Sequence, residues 1–590
     1  MSLPRSLREL LELRQAWPLS WSSDGSTLLV ASDLPGTHQL FMLPAAGGEL
    51  VQATDYDEPV LGQLLPDGRI LLELDEGGNE RTQLYVLEPG GAAEPLVVDP
   101  RFNHWTPRVS HDGSLLAYAT NRGNGRDFEV VARRLGSGDE QCFDLRGYLG
   151  VHAVSPDGRR ILVERLSDLP GDSDLFVLDA ETGDVADVTP AGEGEFMSLS
   201  WLPDSSGFFA ATNAFGEHFA LARHDLAAGE WRTVHDAGWD LECVLDDAGR
   251  NLLLALNEDG WSRLELRDPQ TLELRAEVPL PARGVASDFV FSPGGSRLAF
   301  AFSSPREPRQ IHVHDVGTGE LRRLTGEGPI AGVDPGLHRF ASFDRESIPV
   351  FLFEPEGDGP FPVVVTVHGG PESQWRPWYS QGFGPLTQYL VSRGYAVAAP
   401  NVRGSSGYGK RFEHLDDVAL RLDSVRDLAE LHAWLSARPE IDGSRVVVYG
   451  RSYGGYMVLA ALAFQPELWA AGIDFVGISS FVTFLGNTSE YRRAAREREY
   501  GSLATDREVL ERISPAGRVD AIRAPLFVEH GRNDPRVPVG ESEHIHRVLT
   551  ENGVRCELVI YEDEGHTIEK LENRIDAFER AVAFLDEVLG

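Results

Sequence analysis

Between residues 19 and 327 the chain repeats itself about every 43 to 47 residues, the length of one four-stranded propeller blade. The first copy sets the pattern. Trp21-Ser-Ser-Asp24-Gly25 makes a tight turn, an apolar run follows at Leu28-Leu-Val-Ala31, and a second run follows at Gln39-Leu-Phe-Met-Leu43. Comparable turns return at Asp67-Gly68, Asp112-Gly113, Asp157-Gly158, near Asp204 and Gly207, at Asp247-Ala-Gly249 and at Gly294-Gly295. The second run returns as Gln83-Leu-Tyr85-Val-Leu87, Asp174-Leu-Phe176 and Gln310-Ile-His-Val-His314. One small sheet cannot bury both of its faces alone, whereas radial stacking buries them and leaves only short edges. Seven copies predict a seven-bladed β-propeller over 19–327; two unrelated β-sandwiches would not sustain the period.

From Asp344 onward the pattern changes. Short β-rich runs, at Phe361–Val367, Tyr395–Ala399, Val446–Tyr449, Leu526–Glu529 and Cys556–Tyr561, alternate with helical segments near 411–437, 454–465, 540–552 and 568–589. That order predicts a doubly wound, mostly parallel sheet over 345–590, with functional loops at the carboxyl ends of its strands. Residues 328–344 read as a linker. Residues 1–18 read as an amphipathic helix, from about Ser6 to Gln15, expected to pack on the second domain.

Within the second domain Val446-Val-Val-Tyr-Gly450-Arg-Ser452-Tyr-Gly454-Gly455 has the strand–turn–helix context of a nucleophile elbow. Glycines let the chain turn sharply and leave the serine exposed at the tip. A serine hydroxyl needs a base to take its proton. His566, in Glu562-Asp-Glu-Gly-His566 after the last strand, fits that role. Asp534, in His530-Gly-Arg-Asn533-Asp534-Pro-Arg536-Val-Pro538, fits the acid that orients the imidazole. Asp520 precedes its strand and Asp563 is too near His566, so both compete poorly. His530 reads as structural. The chain order Ser, Asp, His is that of α/β-hydrolases. An oxyanion hole needs main-chain donors. Tyr453 N–H comes with the elbow, and either Gly369 or Gly370 of His368-Gly-Gly-Pro371 would supply the second.

With these motifs, and with Asn401-Val-Arg403-Gly-Ser-Ser-Gly-Tyr-Gly409, the chain resembles the prolyl oligopeptidase family of serine peptidases over nearly its whole length, most closely its acylaminoacyl-peptidase-like branch. The resemblance implies that the propeller caps the active site and admits short peptides. It implies that Arg536 binds a substrate carbonyl, and that Phe481, Phe484 and Val537 line the pocket for the residue before the scissile bond. Core packing is the alternative for each phenylalanine. Prolyl oligopeptidases proper carry a tyrosine where His368 stands, which favours main-chain oxyanion donors here. Dipeptidyl-peptidase-like members grip a free amino terminus with a Glu-Glu pair, and no Glu-Glu dipeptide occurs in this chain.

The segment Tyr491-Arg492-Arg493-Ala-Ala-Arg496-Glu-Arg498-Glu-Tyr500 concentrates arginines in an acidic chain. Arg492 and Arg493 each share a helical face with Arg496. In the family this segment flanks the active-site cavity, where guanidinium forks would hold a peptide carboxylate and make the enzyme a carboxypeptidase. Pairing with Glu490, Glu497 and Glu499 on a solvated helix is the plainer reading.

Composition narrows the partners. A formal net charge of −38 disfavours nucleic acid and anionic membranes. The three cysteines, Cys142, Cys243 and Cys556, form no metal-ligand spacing and suit a reducing compartment. The first residues carry acids within their apolar run, unlike a signal peptide. The expectation is a cytoplasmic exopeptidase with no metal or organic cofactor, with homo-oligomerisation left open. An esterase using the same triad and a non-catalytic propeller binding protein are the alternatives.

Overall fold

A computed structural model describes residues 5–380 and 383–590. Seven four-stranded antiparallel sheets follow one another from Ala16 to Arg323, each built from one continuous stretch of chain. Burial is greatest in the second and third strands of the blades and least in the fourth. The second strands Leu115–Thr120 and Gly207–Thr212 are buried throughout, while the outermost Val51–Gln52 and Glu140–Cys142 are exposed. The tight turns join the first and second strands of each blade. Gly25 sits there at φ +67°, its N–H donating to Ser22 O at 2.8 Å, while Ser205 takes the same left-handed place in the fifth blade.

Because no strand is exchanged, the ring closes through side chains. Ala299, Ile311 and Val313 of the seventh blade share a core with Trp21, Leu28 and Phe41 of the first. Trp21 Nε1 donates to Val290 O at 3.1 Å, and Arg297 stacks over the Trp21 ring while donating to Gly25 O at 2.6 Å.

The second domain is one eight-stranded sheet: β1 (Gly336–Ala341), β2 (Ser347–Phe353), β3 (Phe361–Val367), β4 (Ala396–Pro400), β5 (Ile441–Arg451), β6 (Ala471–Phe475), β7 (Leu526–Gly531) and β8 (Cys556–Tyr561). Their spatial order is β1-β2-β4-β3-β5-β6-β7-β8, with β3 to β8 parallel. Val446, Val448 and Met457 belong to the core on one face of this sheet; Val447, Tyr449 and Phe578 belong to the core on the other.

Three boundaries differ from the sequence expectation. The stretch read as a linker contributes β1, whose mixed composition hid an edge strand. The first propeller strand starts at Ala16. The N-terminal helix is short, Leu7–Leu11, opened by a capping box between Ser6 and Glu9. It stops early because the chain turns into the first blade, where Gln15 N–H donates to Asp33 Oδ1 at 2.8 Å and Gln310 Nε2 donates to Arg14 O at 2.8 Å. Leu7 and Leu11 pack with Leu386, Leu390 and Phe578 of the second domain. Among the described residues, no helix is long and apolar enough to cross a membrane.

Candidate active site

Ser452 follows β5 directly and precedes the helix Tyr453–Phe464. Its backbone sits at φ 61°, ψ −119°, a sparsely populated region that the surrounding packing enforces. A Cβ on Gly450 would lie 2.2 Å from Gly454 O, and one on Gly454 would lie 2.2 Å from Val367 O, so the turn closes only on glycine.

The loops after β7 and β8 bring Asp534 and His566 to this serine. Ser452 Oγ lies 3.0 Å from His566 Nε2, and His566 Nδ1 lies 2.6 Å from Asp534 Oδ2. The other carboxylate oxygen, Asp534 Oδ1, accepts from the main-chain N–H of Arg536 at 2.8 Å and of Val537 at 3.0 Å. Burial by itself would raise the Asp534 carboxyl, but His566 and His530 beside it hold it far below the ordinary carboxylate range. Burial lowers His566 to about 4 despite the pull of Asp534, so the imidazole is neutral near pH 7. His530 is fully buried, with Ser542 Oγ 2.7 Å from Nδ1 and Val537 O 2.8 Å from Nε2. The competing acids are engaged elsewhere: Asp563 pairs with Lys570 at 2.8 Å, and Asp520 accepts from Asn552 at 2.9 Å.

Tyr453 is the first helical residue, so its N–H has no acceptor within the helix. Its phenol is buried, donating to Asp416 Oδ2 at 2.8 Å and lying 2.9 Å from Ser424 Oγ. Gly369 abuts the serine; a Cβ there would stand 3.4 Å from Ser452 Cβ. Gly370 sits at φ +135° beside it. His368 is turned away, contacting Ser405 Oγ and Gly369 O at 2.8 Å each.

A cavity of about 230 Å³ opens from Ser452, walled by Phe484, Val537, Arg492, Arg496, Arg536 and Glu372 among others. Two expected members are not on this wall. Phe481 is fully buried behind it, its ring 4.8 Å from Tyr456 and 4.6 Å from Tyr500. Arg493 is not among the wall residues and donates to Gly486 O at 3.2 Å.

Two of the three arginines on the wall are already paired. Glu80, from a propeller loop, receives both Arg492 and Arg536, the latter at 2.5 Å. Arg498 donates to Glu195 at 2.5 Å, and Arg496 lies 4.0 Å from Glu372. Glu372 is pushed up to about 8, by burial first and then by Glu499. Glu413 is raised as well, by burial and the acids around it. Asp416, Asp417 and Glu499 also group closely, and the Arg421 guanidinium lies between Asp416 and Glu499, supplying the cation there.

Glu80 and Glu372 escaped the sequence reading. The loop carrying Glu80, Asp75-Glu-Gly77-Gly78-Asn79-Glu80, looks like an ordinary hairpin connection. In the fold Asn533 Nδ2 donates to Gly77 O at 2.9 Å, and Gly78 packs so closely on Gly565 that a Cβ on Gly78 would lie 2.6 Å from Gly565 N. The propeller therefore touches the loops that carry both Asp534 and His566.

An elbow serine within hydrogen-bond reach of a histidine, itself bonded to a buried aspartate at the carboxyl edge of a parallel sheet, defines a serine hydrolase capped by a propeller. The prolyl oligopeptidase family profile matches residues 382–590, and the profile of the prolyl oligopeptidase N-terminal beta-propeller domain matches residues 64–326. The chain belongs to the prolyl oligopeptidase family and is a serine peptidase. It is 27% identical to dipeptidyl aminopeptidase BIII of Pseudoxanthomonas mexicana, over 96% of this chain and 86% of that protein. It is 26% identical to the acylamino-acid-releasing enzyme of Rattus norvegicus, over 43% of this chain and 35% of that one. A solved prolyl endopeptidase superposes with a TM-score of 0.87 at 18% identity, covering 99% of this chain and 90% of the other.

Proposed function

We propose that the enzyme removes residues from the free amino end of short peptides through an acyl-enzyme on Ser452. The observation that carries the chemistry is the unbroken chain from Ser452 Oγ through His566 to Asp534, at 3.0 and 2.6 Å. Ser452 attacks the peptide carbonyl as His566 Nε2 takes its proton. Asp534 holds the Nδ1–H and stabilises the imidazolium that forms. The N–H groups of Tyr453 and of Gly369 or Gly370 receive the oxyanion. His566 then returns the proton to the leaving amine, and water hydrolyses the ester.

The carboxypeptidase reading needs free guanidinium groups; Arg492 and Arg536 are both taken by Glu80, which leaves Arg496, 4.0 Å from Glu372. Glu372 Oε1 is buried on the cavity wall with no hydrogen-bond partner among the described residues, so an entering ammonium would find an acceptor there and would draw the carboxyl toward its ionised form. Access between the domains favours short peptides over folded chains. The three unpaired cysteines support a reducing, cytoplasmic setting.

One peptide supplied free, N-acetylated and C-amidated, with products read by mass spectrometry, tests the reading. Turnover of the free and amidated forms, with loss on acetylation, is expected. Preference for the acetylated form would mean acylaminoacyl release, and loss on amidation would restore the carboxylate grip.

A further inference from the structure

A second and larger cavity, of about 440 Å³, opens from the same serine on its other side. Its wall includes His566, Thr567 and Ile568, whereas His566 is absent from the wall of the smaller cavity. This asymmetry fixes its place in the reaction. The histidine that protonates the departing amine must face the leaving group, so the cavity that shares His566 is the one the leaving group enters. Its size lies within the range of pockets that enclose small organic groups.

The cavity runs down the face of the sheet toward the C-terminal helix, with Tyr449, Phe475, Phe578 and Trp375 on its wall. Arg451, Phe475 and Glu529 stand in register across β5, β6 and β7, Arg451 opposite Phe475 and Phe475 opposite Glu529. Residues so paired face the same side of a sheet. An aromatic ring thus lies between a cation and an acid two strand spacings, roughly 10 Å, apart. Arg451 is occupied, donating to His566 O at 2.8 Å and to Thr567 Oγ1. Glu529 is only 1% exposed, and its Oε1 has no hydrogen-bond partner among the described residues. A buried acceptor left open on an aromatic-walled cavity is the feature the peptidase chemistry does not use.

We propose that this cavity receives the side chain of the first leaving-group residue, and that it takes a large aromatic one whose tip donates a hydrogen bond, a tyrosine phenol or a tryptophan indole. The aromatic wall buries the ring, and Glu529 Oε1 accepts from its tip. Burial also raises Glu529 to about 8, so that it meets a neutral donor as an uncharged carboxyl. The assignment rests on the serine peptidase chemistry proposed above.

The test is a series sharing one acyl portion, followed by Ala, Leu, Phe, Tyr or Lys, together with the methyl ester of that acyl portion. For the wild-type enzyme, kcat/KM for Phe and Tyr should exceed that for Ala by about tenfold or more, with Tyr above Phe. Glu529→Leu should remove the advantage of Tyr over Phe while ester turnover stays within about twofold, and Glu529→Gln should keep part of that advantage. Equal turnover of Ala and Tyr by the wild-type enzyme, a preference for Lys, or an unchanged Tyr-to-Phe ratio in Glu529→Leu would overturn the assignment. Absence of ester hydrolysis by the wild-type enzyme would instead overturn the serine chemistry, and the subsite with it.

Discussion

Arg536 Nε donates to Glu80 Oε1 at 2.5 Å, tying the loop that carries Asp534 to the second blade of the propeller. The same carboxylate pairs with Arg492, so one propeller residue fixes two cations on the wall of the cavity beside Ser452. Glu80→Ala should therefore raise KM for short peptides about three- to tenfold, the effect of ordering one long side chain on binding. The effect of Arg536→Ala should be smaller in the Glu80→Ala background than in wild type, since the pair acts as a unit. Steady-state kinetics of the four proteins checks this; strictly additive losses would mean that the contact is incidental.

The pH dependence follows from His566. Its folded value of about 4 lies below the ordinary 6.5, and the neutral form is the base in the proposed mechanism. The rising limb of kcat/KM, measured on an N-blocked ester so that no substrate amine titrates, should fall near pH 4 to 5, not near 6.5. The linked stability has a definite sign. Between the two values the unfolded state binds more protons than the folded one. The contribution is therefore fully present above about pH 6.5 and is lost as pH falls toward 4. A limb centred at 6.5 or above would contradict the buried, neutral imidazole.

Arg421 is buried between Asp416 and Glu499, and the Tyr453 phenol rests on Asp416. Arg421→Met would leave buried acids without their cation. It should cost about 3 to 5 kcal/mol in urea unfolding at pH 8, where removing one partner of a buried pair strands the other. The cost should shrink at pH 6, because Glu499, which Arg421 holds below the ordinary carboxylate value against burial, can take up a proton once that cation is gone. A pH-independent loss would place the effect in packing.

The propeller was legible because its second and third strands are buried and apolar, as at Leu28–Ala31 and Leu40–Leu43, and recur at a fixed spacing. The fourth strands were not, since Val51–Gln52 and Glu140–Cys142 are short and exposed and read as polar gaps. Ser452, Asp534 and His566 could be named because each follows a β-rich run and the chemistry restricts the residue type. The walls of the cavity beside Ser452 resisted for the opposite reason. Phe481 and Phe484 are chemically alike and three positions apart on one short helix, and only packing against Tyr456 and Tyr500 sends Phe481 into the core. Glu80 lies more than 450 positions from Arg536, and no local pattern announces a contact of that range.

The most direct measurement is to treat the enzyme with a fluorophosphonate and map the adduct by mass spectrometry while following peptide hydrolysis. We expect one adduct, on Ser452, with hydrolysis lost in proportion to labelling, and Ser452→Ala slower by a factor on the order of 10⁴ to 10⁶. Labelling that spares Ser452, or peptide hydrolysis that persists in Ser452→Ala, would contradict the account.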